Sequence, residues 1–162
     1  AIELGDLPRF RRDAWYGAYG EGWALYAETL GFDIGLYRQP ESRFGHYQMQ
    51  MLRAVRLVVD TGIHALGWSR QQAIDYMQAQ TGDTSGFVSS EIDRYTAWPG
   101  QALSYMIGQL EIVRLRDRAR AGLGERFDIR RFHNAVLDQG ALPLAVLERR
   151  IDDWIAAEAV PR

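Results

Sequence analysis

Two carboxylates in the segment EGWALYAE are the first residues whose types and spacing could support chemistry. Glu21 and Glu28 are seven residues apart, so on a helix they would lie on one stripe, about 10 Å from each other. Their neighbours are aromatic and small residues, among which a carboxylate is unfavourable to bury unless a cation or metal pairs with it. The spacing fits a metal ligand, and it also fits the solvated face of an amphipathic helix.

A second set of polar residues lies in the segment RAVRLVVDTGIH. Helical geometry places Arg53, Asp60 and His64 within roughly 40° of one another, with Arg56 beside them. The i,i+4 spacing of Asp60 and His64 would let the carboxylate orient the imidazole and support its positive form, as a catalytic histidine requires. The alternative is an exposed polar face with an incidental pair.

The third set lies in EIDRYTAWPGQALSYMIG. Gln101, Tyr105 and Gly108 would share one helical stripe, on which the small Gly108 allows a backbone or ligand to approach closely. The Tyr105 phenol could then donate a hydrogen bond to a developing oxyanion, or it could simply pack as an amphipathic residue. Arg94 and Tyr95 could bind a carboxylate or brace the turn.

Complete catalytic signatures do not occur in the sequence. There is no HExxH pair, and His46, His64 and His133 are far apart along the chain. Cysteine is absent, which excludes thiolate ligands and thiol nucleophiles, and no GxSxG, Walker or dinucleotide-binding pattern is present. His133 is expected to be an ordinary surface or core histidine. The sequence therefore does not contain a complete zinc site.

Helices would position these residues, because apolar residues recur with a helical period and no segment alternates as a strand does. The sequence predicts an all-α fold of about six or seven helices, forming a single helical domain over residues 1–162. The longest predicted helix, residues 41–65, is expected to turn one face towards the core, formed by Met51, Ala54, Val55, Val58 and Gly62.

Capping residues and glycines predict where the helices begin and end. Ser69, three residues before Gln72, forms a capping-box pattern that opens a helix ending near Gly82. Ser89 or Ser90 is expected to cap the next helix. Other caps, first-turn residues and breakers predicted in this way are Pro99, Gly122, Gly124, Asp128 and Gly140.

Charge and hydropathy limit the classes of partner. Nineteen basic and 21 acidic residues give a net charge of -2, which does not suit nucleic-acid binding. No apolar run approaches the ~20 residues of a membrane-spanning helix. The chain starts at Ala1 without a signal-like segment, so its start is expected to be internal to a longer gene product.

Four segments together resemble a bacterial family, domain of unknown function 885 (DUF885), whose members are often described as lipoproteins or metallopeptidases. The segments are YGEGWALYAETLGF, MLRAVRLVVDTGIHALGWSRQQAIDYM, RYTAWPGQALSYMIG and FDIRRFHNAVLDQGALPLAVLE. They follow one another in the family's order and span almost the whole chain. The resemblance implies the C-terminal part of a helical, gluzincin-like zinc peptidase. In such a protein a histidine-glutamate motif upstream supplies two zinc ligands and the general base.

Roles for single residues follow from this resemblance. It implies Glu21 as the third zinc ligand, with Glu28 either as its competitor or as a residue that supports the ligand from behind. It also implies Tyr105 as the oxyanion stabiliser. It also implies that His64 contacts the substrate or transition state while Asp60 orients it. Substrate-binding roles, by contact with a carboxylate in the case of the arginines, are implied for Arg53, Arg56, Arg94 and Gln101.

The expected function is therefore hydrolysis of peptide bonds through a metal-bound water in the full-length protein. This chain alone is expected to be inactive and to bind no zinc. The alternative is a non-catalytic helical binding module or a degenerate relative without the metal. Helix faces left uncovered would favour a homo-oligomer, and family resemblance favours the periplasm or cell surface.

Overall fold

The computed structural model describes residues 7–159, and these residues form helices joined by short connections. In chain order the helices are α1 (Arg9–Arg12), α2 (Gly17–Asp33), α3 (Pro40–Ala65), α4 (Arg70–Thr81), α5 (Ser85–Ala97), α6 (Ser104–Leu123), α7 (Ile129–Leu137) and α8 (Leu144–Ala159). Short 3-10 turns, Gln101–Leu103 and Gly124–Arg126, precede and follow α6. No strand occurs among residues 7–159, so the predicted all-α class is confirmed. The four-residue α1 was not predicted, and Ala1 lies outside the described residues.

The chain divides into two compact units. Unit 1 comprises residues 1–26 and 107–162, and unit 2 comprises residues 27–106. The predicted catalytic and substrate-binding residues all belong to unit 2, and of the two predicted metal ligands Glu28 belongs to unit 2 and Glu21 to unit 1.

The core of unit 2 is formed where α3 packs against α4 and α5. Leu52, Val55 and Val59 are at most 4% exposed, whereas Met51 is 47% and Val58 is 37% exposed. The predicted core face was therefore wrong for Met51 and Val58. Two neighbouring stripes of α3 are apolar, and the stripe that contains Leu52, Val55 and Val59 makes the contact with α4 and α5.

The other apolar stripe of α3 remains on the surface. Phe44, Tyr47 and Met51 are 69%, 60% and 47% exposed, and their spacing places them on successive turns of one side of the helix. The self-association expected from the sequence stays a prediction.

Most of the predicted helix boundaries in α4 and α7 are confirmed. The Ser69 hydroxyl accepts a hydrogen bond from the Gln72 N–H at 3.2 Å, and the Gln72 side chain accepts one from the Ser69 N–H at 2.8 Å. Gly82 ends α4 in the left-handed conformation with φ 68°. The Asp128 side chain caps α7 by accepting from two backbone N–H groups.

Two predicted boundaries were wrong. Ser89 and Ser90 lie inside α5, which begins at Ser85 after Thr84. The helix starts one turn earlier than predicted because Val88, in that turn, is fully buried in the core. Pro99 lies in the turn before α6 and not in its first helical turn, because Gly100 adopts φ 79°, a left-handed conformation that interrupts a helix.

In unit 1, α2 and α6 approach each other through two glycines. A Cβ atom added at Gly108 would overlap the Ala18 carbonyl oxygen and the Cα of Gly22. Only a residue without a side chain fits at such a crossing. The close backbone approach predicted at Gly108 is therefore confirmed.

Candidate substrate-binding site

Glu91, on α5, is the centre of a largely buried ionic cluster in unit 2. Arg56 donates from Nη2 to Oε2 at 2.8 Å, and Arg94 donates from Nε and Nη2 at 3.1 and 3.0 Å. The Tyr95 hydroxyl donates to Oε2 at 2.7 Å, and Arg56 Nε donates to that hydroxyl at 2.8 Å. One carboxylate thus holds two of the three predicted substrate-binding arginines.

This environment changes the acidity of the groups in the cluster. Burial by itself would raise the pKa of Glu91, but hydrogen bonds from Arg94 and Tyr95 and the charges of Arg56 and Arg94 outweigh it and lower the pKa to about 2. Burial, together with the hydrogen bond and charge of Glu91, raises the pKa of Tyr95 above its usual value. At neutral pH Glu91 is therefore ionised and Tyr95 is neutral.

Tyr105, on α6, packs against two guanidinium groups. The centre of its ring lies 5.6 Å from Arg53 Cζ and 5.1 Å from Arg56 Cζ, within the range of a cation–π contact. The structure therefore brings Tyr105 together with two predicted substrate-binding arginines.

Asp60 and His64 do not form the predicted pair. Both carboxylate oxygens of Asp60, a residue only 2% exposed, accept from the Gly100 N–H at 3.2 Å. His64 Nε2 lies 3.0 Å from the Tyr95 carbonyl oxygen, which can only accept, so this nitrogen carries the proton. The prediction that Asp60 orients His64 was wrong, because the turn at Gly100 and the end of α5 supply nearer partners.

Arg94 also holds the turn between α5 and α6. Its Nη1 donates to Oε1 of Gln101 at 2.7 Å, across the three residues Trp98, Pro99 and Gly100. Arg94 performs both roles left open in the sequence, because it binds the Glu91 carboxylate and also braces the turn. Gln101 is thereby fixed beside the cluster around Glu91.

The described residues do not assemble a metal site by themselves. Within residues 7–159, no group of three histidine, cysteine or carboxylate side chains is placed to hold a metal ion. Glu21 and Glu28 are both partly buried on α2. The negative charge of Glu28 favours the charged form of Arg53, although burial and Arg56 outweigh it and lower the pKa of Arg53.

Unit 1 has a polar cluster of a different kind. The Tyr26 hydroxyl lies 2.9 Å from His133 Nε2, and the Trp23 ring meets the His133 ring edge-on with centroids 5.4 Å apart. Burial and the nearby charge of Arg116 lower the pKa of His133, so the imidazole is held in its neutral form. His133 is a packed histidine, as the sequence suggested.

The sequence profile of a bacterial protein family of unknown function, DUF885, matches residues 1–151. The chain belongs to the DUF885 family. The resemblance recognised in the four sequence segments is thus confirmed.

One solved structure has the same fold over almost the whole of this chain. It is a Colwellia psychrerythraea protein titled a "putative lipoprotein", which is 49% identical and superimposes with a TM-score of 0.94 over 96% of this chain. This DUF885 chain spans 27% of the length of that protein. A comparison with curated proteins finds no match. Among residues 7–159, no helix has both the length and the apolar character needed to cross a membrane.

Glu91 is the main residue of this DUF885 site that the sequence reasoning missed. It lies three residues before Arg94 and four before Tyr95, spacings at which helical side chains meet. These short spacings alone could have predicted that Glu91 contacts Arg94 and Tyr95. The long-range bond to Arg56, 35 positions earlier, requires knowledge of how α3 packs on α5.

Proposed function

We propose that this chain is the C-terminal, substrate-binding part of a zinc-dependent peptidase that hydrolyses peptide bonds. The observation that carries the proposal is the position of Tyr105, whose ring lies within cation–π distance of the guanidinium groups of Arg53 and Arg56. In the proposal the Tyr105 hydroxyl donates a hydrogen bond to an oxygen that becomes negative during the reaction. The resemblance of the four sequence segments to helical zinc peptidases supports this role.

Zinc would supply a Lewis acid and a bound water of lowered pKa when it is present. The described residues do not fit a complete zinc site, so no step through the metal follows from them. In the proposal Glu21, or Glu28 in its place, contributes one ligand to a site completed by other parts of the polypeptide. The residues of unit 2 bind and orient the peptide.

His64 and Asp60 have different roles in this proposal. His64 is exposed and, with Nε2 donating to the Tyr95 carbonyl oxygen, presents its other ring nitrogen to a substrate. Asp60 is a positioning residue, because it fixes the turn at Gly100 that leads into α6.

The name given to the Colwellia relative supports a periplasmic or cell-surface location for this protein.

The test uses the full-length parent polypeptide with zinc and a peptide library. We expect hydrolysis, and we expect Tyr105→Phe to lower kcat by about 100-fold with little change in KM, the effect of removing one oxyanion donor. Tyr76→Phe is a matched control on α4 and should leave kcat unchanged.

The 162-residue chain assayed alone should show no turnover with added zinc. Turnover by this chain alone would refute the proposal that other parts of the polypeptide complete the active site. A parent protein that neither retains zinc nor hydrolyses any peptide would refute the peptidase proposal and favour a helical binding module.

A further inference from the structure

The solvent-facing side of α3 differs from that of an ordinary surface helix. Between residues 44 and 61 the exposed side chains are all uncharged, and most of them are apolar: Phe44, Tyr47, Gln48, Met49, Met51, Val58 and Thr61. The three charged residues of this stretch, Arg53, Arg56 and Asp60, are buried or partly buried. In an amphipathic surface helix the charged residues occupy the side that faces solvent, so α3 has the opposite arrangement.

The exposed apolar residues of α3 form a continuous face. Phe44, Tyr47, Met51 and Val58 lie on one stripe, which is about 21 Å long at 1.5 Å per residue. The partly exposed ring of Phe32 lies 6.0 Å from the ring of Tyr47 and widens the face. Since the side of α3 that packs against α4 and α5 is also apolar, the helix is apolar on two sides. This pattern is typical of helices inside large proteins.

The neighbouring helix α4 shows the ordinary surface pattern. Across Arg70–Thr81, all of them described residues, no large hydrophobic side chain is exposed. The side chains that α4 does expose are polar, charged or small: Arg70, Gln71, Gln72, Asp75, Gln78, Ala79 and Gln80. The uncovered apolar face is therefore specific to α3 and is not a general property of unit 2.

The Colwellia structure indicates what covers this face. That protein has the same fold over 96% of this chain, and yet the chain spans only 27% of its length. Most of the relative's polypeptide thus lies outside the matched region. A segment joined to α3 through the same polypeptide is present at a high effective concentration, whereas a second copy must first lose its translational and rotational freedom. A covalently connected segment is therefore favoured over a second copy.

We propose that another helix of the same, longer polypeptide packs along the face formed by Phe32, Phe44, Tyr47, Met51 and Val58, and makes α3 an interior helix. The partner helix presents an apolar side without charged residues, because a charge buried against this face would have no ion-pair partner. The proposal does not depend on peptidase activity, since it concerns packing and no chemical step.

The experiment measures the oxidation of Met51 by dilute hydrogen peroxide, in the 162-residue chain and in the full-length parent, by mass spectrometry of the peptides. Met51 is 47% exposed in this chain, and the oxidation of methionine follows its exposure. We expect the reaction to be about tenfold slower in the parent. The fully buried Met77 is the internal control and should react slowly in both proteins. This measurement needs no variant to fold.

A pair of variants then tests the contact itself. Met51→Lys should leave the melting temperature of the 162-residue chain unchanged, because the side chain is in water there, and should lower that of the parent. Gln78→Lys, at an exposed position of α4, is the matched control and should change neither melting temperature.

Three results would overturn the proposal. The first is equal oxidation of Met51 in the chain and the parent, and the second is a parent whose melting temperature Met51→Lys does not change. The third is a Met51 that is oxidised freely in the parent but becomes protected in the chain as its concentration rises, because a second copy would then cover the face.

The outcome is separable from that of the proposed function. A parent that protects Met51 and hydrolyses no peptide would sustain this interface and overturn the peptidase. Hydrolysis by a parent in which Met51 remains accessible would do the reverse.

Discussion

The two polar clusters, one in each unit, differ in how their charges are balanced. In unit 2, Glu91 holds Arg56 and Arg94 by charged hydrogen bonds, whereas Arg53 forms no ion pair with any carboxylate of residues 7–159. In unit 1, Tyr26 and His133 form a neutral hydrogen bond beside the Trp23 ring.

This difference separates a structural cluster from a candidate binding site. In the cluster of unit 1 the hydroxyl and the imidazole bind each other, and the nearby Arg116 pairs with Asp117, so its charge is compensated. The ionic cluster contains more cations than the carboxylate hydrogen-bonded to them can neutralise. A surplus of charge at a partly buried position is unfavourable for the folded state, and such positions are enriched at functional sites.

The strongest test of the contrast removes the central carboxylate of unit 2. In Glu91→Ala, Arg56 and Arg94 both lose their ion-pair partner, so the free energy of unfolding should fall by about 3 kcal/mol. Urea unfolding followed by circular dichroism measures this change.

Asp93→Ala provides the control on the same helix, because the Asp93 side chain is 57% exposed in its ion pair with Arg70. That variant should leave the unfolding midpoint where it is. An equal midpoint for Glu91→Ala and the unaltered protein would show that the ionic cluster does not stabilise unit 2.

A second test uses acid. Because the pKa of Glu91 is lowered to about 2, its contribution to stability is fully present above pH 4.5 and is lost as the pH falls towards 2. We expect it to amount to about 1–2 kcal/mol after allowance for solvent screening.

Urea midpoints at pH 5 and pH 2.5 should therefore differ less in Glu91→Gln than in the unaltered protein. Glu125→Gln, at an exposed glutamate of unit 1, should keep the full difference. If Glu91→Gln also keeps it, another group is responsible for the acid sensitivity.

The smallest expected effect belongs to the neutral cluster. Tyr26→Phe removes the hydrogen bond to His133 together with one to Arg116, and should lower the free energy of unfolding by about 1 kcal/mol. Tyr16→Phe, at a tyrosine 39% exposed, should have no measurable effect. A loss as large as that of Glu91→Ala would remove the energetic distinction between the two clusters.

The sequence predicted most of the helices and their caps because those depend on residues close together in the chain. The Ser69 capping box, the left-handed Gly82 and the Asp128 cap each need only a few neighbouring residues. The start of α5 was missed because it is decided by the burial of Val88, which is a tertiary contact.

The site was predicted in part for the same reason. The sequence identified Arg53, Arg56 and Tyr105 as candidates, and the structure brings these three side chains together. It did not reveal that Arg56 forms an ion pair with Glu91. It also did not reveal that Asp60 accepts a hydrogen bond from the Gly100 N–H and does not pair with His64. Both outcomes depend on partners 35 to 40 positions away, and helical spacing contains no information about them.

The turn formed by Trp98, Pro99 and Gly100 has a practical consequence. Loops usually tolerate inserted residues and affinity tags because few contacts restrain them. Here Asp60 binds the Gly100 N–H and the Arg94–Gln101 bond spans the turn, so an insertion would separate groups on three helical segments. A fluorescent label is better placed at Gly86, where a side chain would meet no atom within 4 Å and the backbone does not have a positive φ.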